Sequence, residues 1–296
     1  MGDRILLERL LTWLALPLAL LLTGCGQKAE PALWRIDKVG ATEDAAPAGW
    51  LFGTIHALPA GTDWRGGALD EALADAGVLM VEIEDLNPAD SQRYFTELAY
   101  DPTLPPIEER VSPVWRDELD ELMDDAGADP ETFHHVETWA TALMLASLIQ
   151  QQGRMDGAHG VDKALIAEWD DRPIVGFETT EEQFRIFDQL SGNEQQALLE
   201  SMVRQAEQMK PDEMADVWIA GDADRLGQLM DMGFEQNSGL RGAVLSRRNE
   251  RWIGRIVDQL QSGKRPFIAV GAGHMGNSDG LIALLEKRGW KATRVQ

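Results

Sequence analysis

Cysteine is almost absent from this sequence of 296 residues, in which Cys25 is the single thiol. One cysteine excludes a disulfide within the chain and any zinc site built from several thiolates. Positive charge is also scarce, because 27 lysines and arginines stand against 50 aspartates and glutamates, which gives a net charge of −23. No basic tract offsets that charge, so the chain should repel a phosphate backbone, and we expect no nucleic-acid partner.

Apolar residues, in contrast, are plentiful enough for a folded core. They make up 44% of the chain, whereas charged residues make up 26% and aromatic residues 7%. This balance is typical of a globular protein rather than of a disordered one. A length of 296 residues allows one large domain or two small ones.

The amino terminus has the pattern of an export signal. Arg4 and Arg9 accompany an apolar stretch at residues 10–22. That stretch is shorter than the ~20 residues that span a bilayer, and it suits the core of a signal peptide. It ends in a motif that resembles a bacterial lipobox, whose cysteine becomes lipidated: Leu22-Thr23-Gly24-Cys25.

We therefore expect a lipoprotein signal peptide over residues 1–24, a lipid on Cys25 and a tether over residues 25–32. An ordinary signal peptide and an uncleaved anchor are the alternatives. Gly26, rather than an acidic residue, follows the cysteine. We therefore expect the lipid to attach the protein to the outer membrane of a bacterial cell envelope, facing the periplasm.

Short apolar runs alternate with helical patterns along the rest of the chain. Continuous apolar runs are typical of strands buried on both faces, and they occur at residues 33–39, 50–55, 78–83, 173–177, 266–270 and 292–295. Helical patterns occur at residues 66–76, 88–100, 112–125, 130–152, 160–171, 180–208, 211–230 and 238–262. This order predicts an α/β fold in which helices flank a central sheet. We expect one domain over residues 33–296 with a large helical insertion at about residues 105–262; two separable domains are the alternative.

Two of the apolar runs lead into the same pattern, a glycine followed three residues later by a histidine. Gly53 and His56 form it after one run, and Gly271 and His274 form it after another. Sites in α/β proteins gather at the carboxyl ends of strands, and glycine lets the backbone approach a ligand closely. Because neutral imidazole is the commonest metal ligand, both histidines are candidate ligands of one metal ion. The alternative is two unrelated histidines that each close a loop.

Two charged residues lie where the sequence pattern predicts burial. Glu82 lies within the apolar run at residues 78–83, and a buried carboxylate must be paired, hydrogen-bonded or bound to a metal. Arg248 falls on the apolar stripe of the helix predicted over residues 238–262, where an arginine meets a carboxylate or lines a pocket. The structural alternatives are a strand-end salt bridge for Glu82 and an Arg–Glu pair, with Glu82 or Glu178, for Arg248.

Two further polar residues have ordinary structural interpretations. Asp162 follows Gly160 at a predicted helix start, where an acidic side chain is a routine feature. Gln183 ends a stretch at residues 180–183 that has the pattern of a capping box, which favours a helix cap over a catalytic role.

Taken together, these motifs resemble the TraB/GumN family, whose animal relatives include the Tiki metalloproteases. The resemblance is carried by residues 51–56, 81–82, 160–162, 176–178, 183, 248–249 and 271–276. It implies an α/β fold akin to the erythromycin-esterase-like and ChaN-like proteins. It also implies a metal-dependent hydrolase site built from the two Gly-x-x-His motifs, a glutamate and an arginine.

From the residues and the resemblance together, our hypothesis is a lipid-anchored metal-dependent hydrolase, in the first instance a metallopeptidase. Its substrate would be a peptide or another small polar molecule. His56, His274 and Glu82 would bind a divalent metal ion such as Mn, Co or Zn, with Glu82 as the third ligand or the general base. Arg248 would stabilise the oxyanion that develops on the attacked carbonyl.

The remaining motif residues would support that site. Glu178 would orient a histidine, and Asn249 and Asp162 would hold the site or contact the substrate. The motif glycines are Gly53, Gly271 and Gly276. The main alternative is a non-catalytic lipoprotein that uses the same residues to bind haem, a metal or a signal peptide. An iron oxygenase with two histidines and one carboxylate is a further alternative, although nothing in the sequence indicates an oxidant cofactor.

Overall fold

The computed structural model describes residues 28–296, apart from residues 43, 211, 235 and 236 and the side chain of residue 152. The expected signal peptide and the expected lipidation site, Cys25, lie outside the described residues, as does the first part of the tether. Among the described helices, none combines the length and the apolar character that crossing a bilayer requires.

A central six-stranded sheet organises the molecule. In chain order the strands are β1 (Leu33–Lys38), β2 (Gly49–Thr54), β3 (Leu58–Pro59), β4 (Val78–Ile83), β5 (Met155–Asp156), β6 (Ile174–Glu178), β7 (Pro266–Gly271) and β8 (Trp290–Arg294). The order across the sheet is β6-β4-β7-β2-β1-β8, and β3 pairs with β5 in a separate two-stranded sheet. Strands β6, β4, β7 and β2 are mutually parallel, whereas β1 is antiparallel to both β2 and β8.

Helices lie on both faces of the sheet and beyond its carboxyl edge. They are α1 (Gly67–Asp75), α2 (Pro88–Leu98), α3 (Arg116–Asp125), α4 (Thr138–Gln152), α5 (Val161–Glu168), α6 (Thr180–Asp188), α7 (Gly192–Gln208), α8 (Glu213–Ile219), α9 (Ala223–Met232), α10 (Ser238–Arg241), α11 (Arg247–Gln261) and α12 (Leu281–Lys287). A π-helical segment, Gly242–Ser246, joins α10 to α11. The α/β fold with a central sheet and flanking helices is therefore confirmed, and strand β6 lies within the stretch predicted as a helical insertion.

The two faces of the sheet are covered by different helices. Successive residues of a strand point to opposite faces, so Phe52 and Leu79 join a cluster with α1, α5 and α8, whereas Leu51 and Met80 join a cluster with α11 and α12. A third cluster lies away from the sheet, among α3, α4 and α7. The described helices thus form three groups: one on each face of the sheet and a third that packs away from it.

Several long helical patterns are interrupted in the structure. The pattern at residues 180–208 is split between α6 and α7, because Ser191 caps a new helix with a capping box to Glu194. The capping box of α6 uses Thr179 and Glu182. The interpretation of Gln183 as part of that box is therefore wrong, and its side chain is available for another contact. A polar cap inside an amphipathic pattern outweighs helical periodicity locally.

The aromatic packing of Phe52 gives a test of the fold. Phe52 is fully buried, and its ring centroid lies 5.7 Å from that of Phe267 and 6.3 Å from those of Trp64 and Trp218. We expect Phe52→Ala to lower the free energy of unfolding by about 3–5 kcal/mol, because it leaves a cavity that the sheet cannot close. Phe52→Leu keeps most of the apolar volume and should cost distinctly less in the same urea titration. Equal stability of the alanine variant and the native protein would contradict this packing.

Candidate active site

The carboxyl ends of the parallel strands bring the motif residues to one edge of the sheet. His56 follows β2, Glu82 lies near the end of β4, Glu178 ends β6 and His274 follows β7. His274 belongs to a short 3₁₀ turn, Ala272–His274. Ligand sites of α/β sheets occupy this edge because the strand ends leave a crevice there. The expectation that the two Gly-x-x-His turns come together is met by the parallel pairing of β2 with β7.

Arg248 lies at the centre of the buried part of the site. Its Nη2 donates to Glu82 Oε2 at 2.6 Å and to Glu178 Oε2 at 2.8 Å, and its Nε donates to both Glu178 oxygens at 3.0–3.1 Å. Its Nη1 donates to the carbonyl of Val244 at 3.1 Å and lies 3.2 Å from His274 Nε2. The Arg–Glu pair that the sequence offered as the structural alternative, with Glu82 or Glu178, is present with both glutamates. Each of the five guanidinium N–H groups therefore has an acceptor.

Local packing explains why an arginine is buried on this helix. Arg248 lies in the first turn of α11, directly after the π-helical segment, and such segments often accompany functional sites. Its guanidinium carbon lies 4.6 Å from the ring centroid of Trp252, which stacks on Phe177 at 4.9 Å. Carboxylates pair with the edges of the guanidinium group and an indole contacts its face, which suits a delocalised cation.

Asn249 holds the ring of His274. The Oδ1 atom of Asn249 lies 2.6 Å from His274 Nδ1, and its Nδ2 donates to the carbonyl of Asp279 at 2.9 Å. Because the amide nitrogen is occupied in this way, the oxygen must face the imidazole, so the hydrogen-bond pattern assigns the proton to Nδ1 and a lone pair to Nε2. Burial lowers the pKa of His274 to about 3, which keeps this ring neutral.

Asp162 holds His56 in the corresponding way. Its Oδ2 lies 2.8 Å from His56 Nδ1, and its Oδ1 accepts a hydrogen bond from Thr54 Oγ1 at 2.5 Å. The negative charge of Asp162 raises the pKa of His56 to about 9. Gly160 permits this contact, because a Cβ there would overlap with the carbonyl of His56. Asp162 therefore bonds and orients His56. Its place at a helix start suggests only a routine role, whereas the family resemblance places it among the residues that would hold the site.

Glu82 is fixed by three donors. Its Oε2 accepts from Arg248 and from Gln183 Nε2, the latter at 3.1 Å, and its Oε1 accepts from the backbone N–H of Gly271 at 2.8 Å. Burial alone would raise the pKa of this carboxyl, but His274, Arg248 and the Gly271 N–H outweigh burial and lower it to about 2. Glu82 is therefore ionised throughout the physiological range.

The three candidate metal ligands converge around Gly271. A Cβ placed on Gly271 would lie 3.1 Å from Glu82 Oε1, 3.8 Å from His274 Cδ2 and 3.9 Å from His56 Nε2. His274 Nε2 and Glu82 Oε1 are themselves 3.7 Å apart, close to the ~3.4 Å between two ligands of a tetrahedral ion with ~2.1 Å bonds. Within the described residues no group of three His, Cys, Asp or Glu side chains is already arranged to hold a metal ion.

The chemistry of this donor set nevertheless fits a divalent cation. Both imidazoles are anchored through Nδ1, by Asp162 and by Asn249. Nε2 of His56 lies on the Gly271 side, and Nε2 of His274 faces Arg248 Nη1 and Glu82 Oε1. Two imidazole nitrogens and one carboxylate are common ligands of zinc and other divalent metals, and anchoring of the distal nitrogen is the usual support. His274 is already neutral, whereas His56, whose pKa is raised to about 9, has to release a proton to become a ligand. Arg248 Nη1 is the group that would have to give up its contact with His274 Nε2.

A large cavity opens above these residues. Its volume is about 640 Å³, and His56, Glu82, Arg248 and His274 form its polar floor. Helices of the insertion form its walls, including α4, α6, α7 and α9. A volume of this size accommodates a small-molecule or peptide-sized ligand.

The other predicted residues support the floor without lining the cavity. Glu178 contacts Arg248, Arg251 and Trp252. In the described part of the chain it orients an arginine, so the expectation that it orients a histidine is wrong. Asn249 reaches the site through His274.

The motif glycines differ in how much space a side chain would find at their positions. A Cβ on Gly53 would press against Ala272 of the second turn. One on Gly276 would meet no described atom within 4 Å. Two contacts had a weak sequence signal: Gln183 lies in a helix-cap pattern, and Thr54 is the last residue of an apolar strand, with no motif of its own. The histidines left out of the proposed site, His134, His135 and His159, are not among the residues that line the cavity.

Comparison with known proteins identifies one family. The model of the TraB/PrgY/gumN family matches residues 32–294. No curated protein and no solved structure matches the chain. The matched stretch contains both Gly-x-x-His turns and Arg248 with its two glutamates, so the complete site lies within the part of the chain that the family model describes.

Removal of the central guanidinium gives a test of the buried network. We expect Arg248→Met to lower the free energy of unfolding by about 3–5 kcal/mol at pH 7, because two buried carboxylates lose their partner. Arg251→Met is the matched control. Arg251 also bonds Glu178, at 3.1 Å, but its side chain is 56% exposed, so its loss should cost no more than about 1 kcal/mol. Equal effects of the two substitutions in denaturant titrations would contradict the network.

The difference in free energy of unfolding between the native protein and Arg248→Met should depend on pH, which gives a second test of the network. The pKa of Glu82 is lowered to about 2 in the folded protein against ~4.3 in an unfolded chain. Its stabilising effect is therefore complete above ~pH 5 and is lost as the pH falls towards ~2. Without Arg248 the carboxyl is easier to protonate, so the gap between native protein and Arg248→Met should narrow at about pH 3–4. If the difference in free energy of unfolding stays the same at every pH, charge pairing with Glu82 is not the cause of the destabilisation in Arg248→Met.

Proposed function

This chain belongs to the TraB/PrgY/gumN family, and from that premise we propose that it is a metal-dependent hydrolase of a carbonyl linkage, with a peptide bond as the first candidate. The observation that carries the proposal is the convergence of His56, His274 and Glu82 around Gly271, beneath a cavity of about 640 Å³. Each histidine has its Nδ1 anchored, which is the arrangement that metal-binding histidines use. The proposed setting is a lipid-anchored protein of the bacterial envelope.

His56 Nε2, His274 Nε2 and Glu82 Oε1 are the proposed ligands of the metal. A divalent cation bound there would lower the pKa of a water molecule to about 7 and so make hydroxide available. Glu82 is a better ligand than base, because a carboxyl with a pKa of about 2 holds a proton weakly. Of the two roles expected for Glu82, we therefore assign it the ligand role.

Arg248 is the proposed donor to the substrate carbonyl oxygen. All its N–H groups have acceptors in the structure, so one of them has to be released. The Nη1–H that faces His274 Nε2 is the one freed when that nitrogen binds another group. Arg248 then remains held by Glu82 and Glu178, which fix the guanidinium and let it stabilise a developing negative charge without reorganising.

The proposed reaction consumes one water molecule. The water oxygen forms a bond to the carbonyl carbon, the bond from that carbon to the leaving nitrogen or oxygen breaks, and the leaving atom keeps the electron pair. One proton of the water goes to the leaving group, and the products are a carboxylic acid and an amine or alcohol. The residues of this chain position the carbonyl between His56 and Arg248, at the floor of the cavity.

Binding without turnover is the second candidate. A mostly apolar cavity with a few convergent polar groups also suits a ligand-binding protein, and Arg248 satisfies the lone pair of His274 without any metal. Tight binding of haem or another ligand without cleavage would support this candidate over the hydrolase.

Metal content tests the proposal most simply. We expect purified native protein to hold about one divalent metal ion and to hydrolyse a peptide library in a chelator-sensitive manner, since His56 supplies one of three ligands. His56→Ala should lose both properties. His159→Ala is the matched control, because His159 also pairs with an aspartate, Asp156 at 3.2 Å, but lies outside the cavity. Full metal content and activity in His56→Ala would overturn the assignment.

The role of Asn249 as a positioning residue gives a separate prediction. Asn249→Ala removes the acceptor of the Nδ1 proton of His274, and we expect metal affinity to fall about 10–100-fold. Asn249→Asp retains an oxygen acceptor and should recover most of that affinity. The measurement is a metal titration of each variant by competition with a coloured chelator. Unchanged affinity in Asn249→Ala would mean that the amide serves packing alone.

A further inference from the structure

Methionine is frequent in the walls of the cavity above the polar floor. Five of the eleven methionines in the chain line it: Met155, Met202, Met209, Met214 and Met230. Methionine is unbranched and polarisable, so methionine-lined walls adapt to a flexible apolar ligand. The other wall residues of the insertion are largely aromatic or aliphatic, such as Phe184 and Leu143. The lining therefore favours an apolar occupant for most of the volume.

Most of the lining of this cavity is apolar, and the polar residues of its walls are Asp125, Gln150, Gln205 and Lys210. At the floor, His56, Glu82 and Arg248 converge. Gln150 lies near the end of α4 and Lys210 just after α7, and both are exposed to solvent. Along α4 and α7 the lining residues before these ends include Leu143, Ile149 and Met202. A ligand that fills the cavity therefore meets charged groups at the floor and a mainly apolar surface elsewhere.

The walls offer a polypeptide main chain side-chain partners such as Gln150 and Gln205 but, in the described part of the chain, no long strand edge. Peptides bound in an extended form obtain affinity from hydrogen bonds to a free strand edge. Here the walls come mainly from α4, α6, α7 and α9, and the N–H and C=O groups inside a helix are already paired with one another. A peptide in this space would leave most of its own amides without partners, at a cost for each buried group. An unbranched hydrocarbon chain has no such groups.

We propose that the cavity holds an unbranched acyl chain, with the ester or amide carbonyl of that chain at the floor beside His56 and Arg248. The inference rests on the proposed hydrolase function and replaces its first candidate substrate, a peptide, with a long-chain acyl ester or amide. Hydrolysis would follow the balance given above: water adds to the acyl carbon, the acyl chain leaves as a carboxylic acid, and the alcohol or amine takes the electron pair and a proton.

Site-specific photolabelling tests the occupant independently of catalysis. The probe is a methyl ester of dodecanoic acid with a diazirine at the far end of the chain, added to the full chain in lipid nanodiscs. After irradiation we expect mass spectrometry to locate the label on the walls, on peptides containing Met202, Met209 or Met230. Excess methyl dodecanoate should suppress this labelling. His159→Ala should retain it, because His159 does not line the cavity.

Two variants fill the cavity and one leaves it open. Ala206 lines the wall in α7, and we expect Ala206→Trp to lower wall labelling about tenfold, since the added ring occupies the path of the chain. Ala146→Phe on α4 does the same from another helix, and near-ultraviolet circular dichroism shows which variants remain folded. Glu207→Trp is the matched control, because Glu207 is the exposed neighbour of Ala206.

The outcomes separate this inference from the proposed function. Wall labelling that the filling variants abolish supports the acyl chain, whether or not a metal is found. Labelling spread over the outer surface, or equal labelling in both folded filling variants and Glu207→Trp, overturns it. Suppression by a blocked leucine-rich peptide but not by methyl dodecanoate assigns the cavity to peptides instead. If the protein holds no metal and hydrolyses nothing but its walls are still labelled, the proposed hydrolase function is wrong and the acyl-chain inference stands.

Discussion

The buried guanidinium of Arg248 is the interaction on which the rest of the site depends. Removing charges from water costs several kcal/mol for each ion, and such a cost is offset only when every hydrogen-bonding position is filled. Arg248 meets that condition with Glu82, Glu178, Val244 and His274. Arg248 and Arg251 both pair with Glu178. Glu82, in contrast, is paired with Arg248 and keeps its Oε1 on the side of His56 and His274, where a cation would find a carboxylate oxygen.

The sheet supplies the candidate metal ligands of this site, and the helices supply the residues that hold them. Parallel strands β2, β4 and β7 deliver His56, Glu82 and His274 to one edge, and helices on opposite faces of the sheet provide their partners. Asp162 comes from α5, on the face of Phe52, and Arg248 with Asn249 comes from α11, on the face of Met80. The helices beyond the edge then line a mainly apolar space above the charged floor.

The sequence predicted the floor better than the contacts that hold it. His56 and His274 stood out because each follows a glycine at a strand end, and Arg248 because it interrupts an apolar stripe. The bond between Asp162 and His56 spans 106 residues of sequence, and no local pattern encodes such a contact. Likewise, Met202 and Phe184 have the same helical periodicity whether they face a solid core or a cavity. The family's expected hydrolase chemistry and its erythromycin-esterase-like or ChaN-like fold remain predictions.

The central claim is that the two anchored histidines and Glu82 form one metal site. Anomalous X-ray diffraction from crystals grown with manganese or zinc, recorded on either side of the metal absorption edge, tests it most directly. The account predicts a single strong anomalous peak beside Gly271, within bonding distance of His56 Nε2, His274 Nε2 and Glu82 Oε1, with Arg248 Nη1 turned away from His274. A peak elsewhere, or none while Arg248 keeps its contact with His274 Nε2, would contradict it.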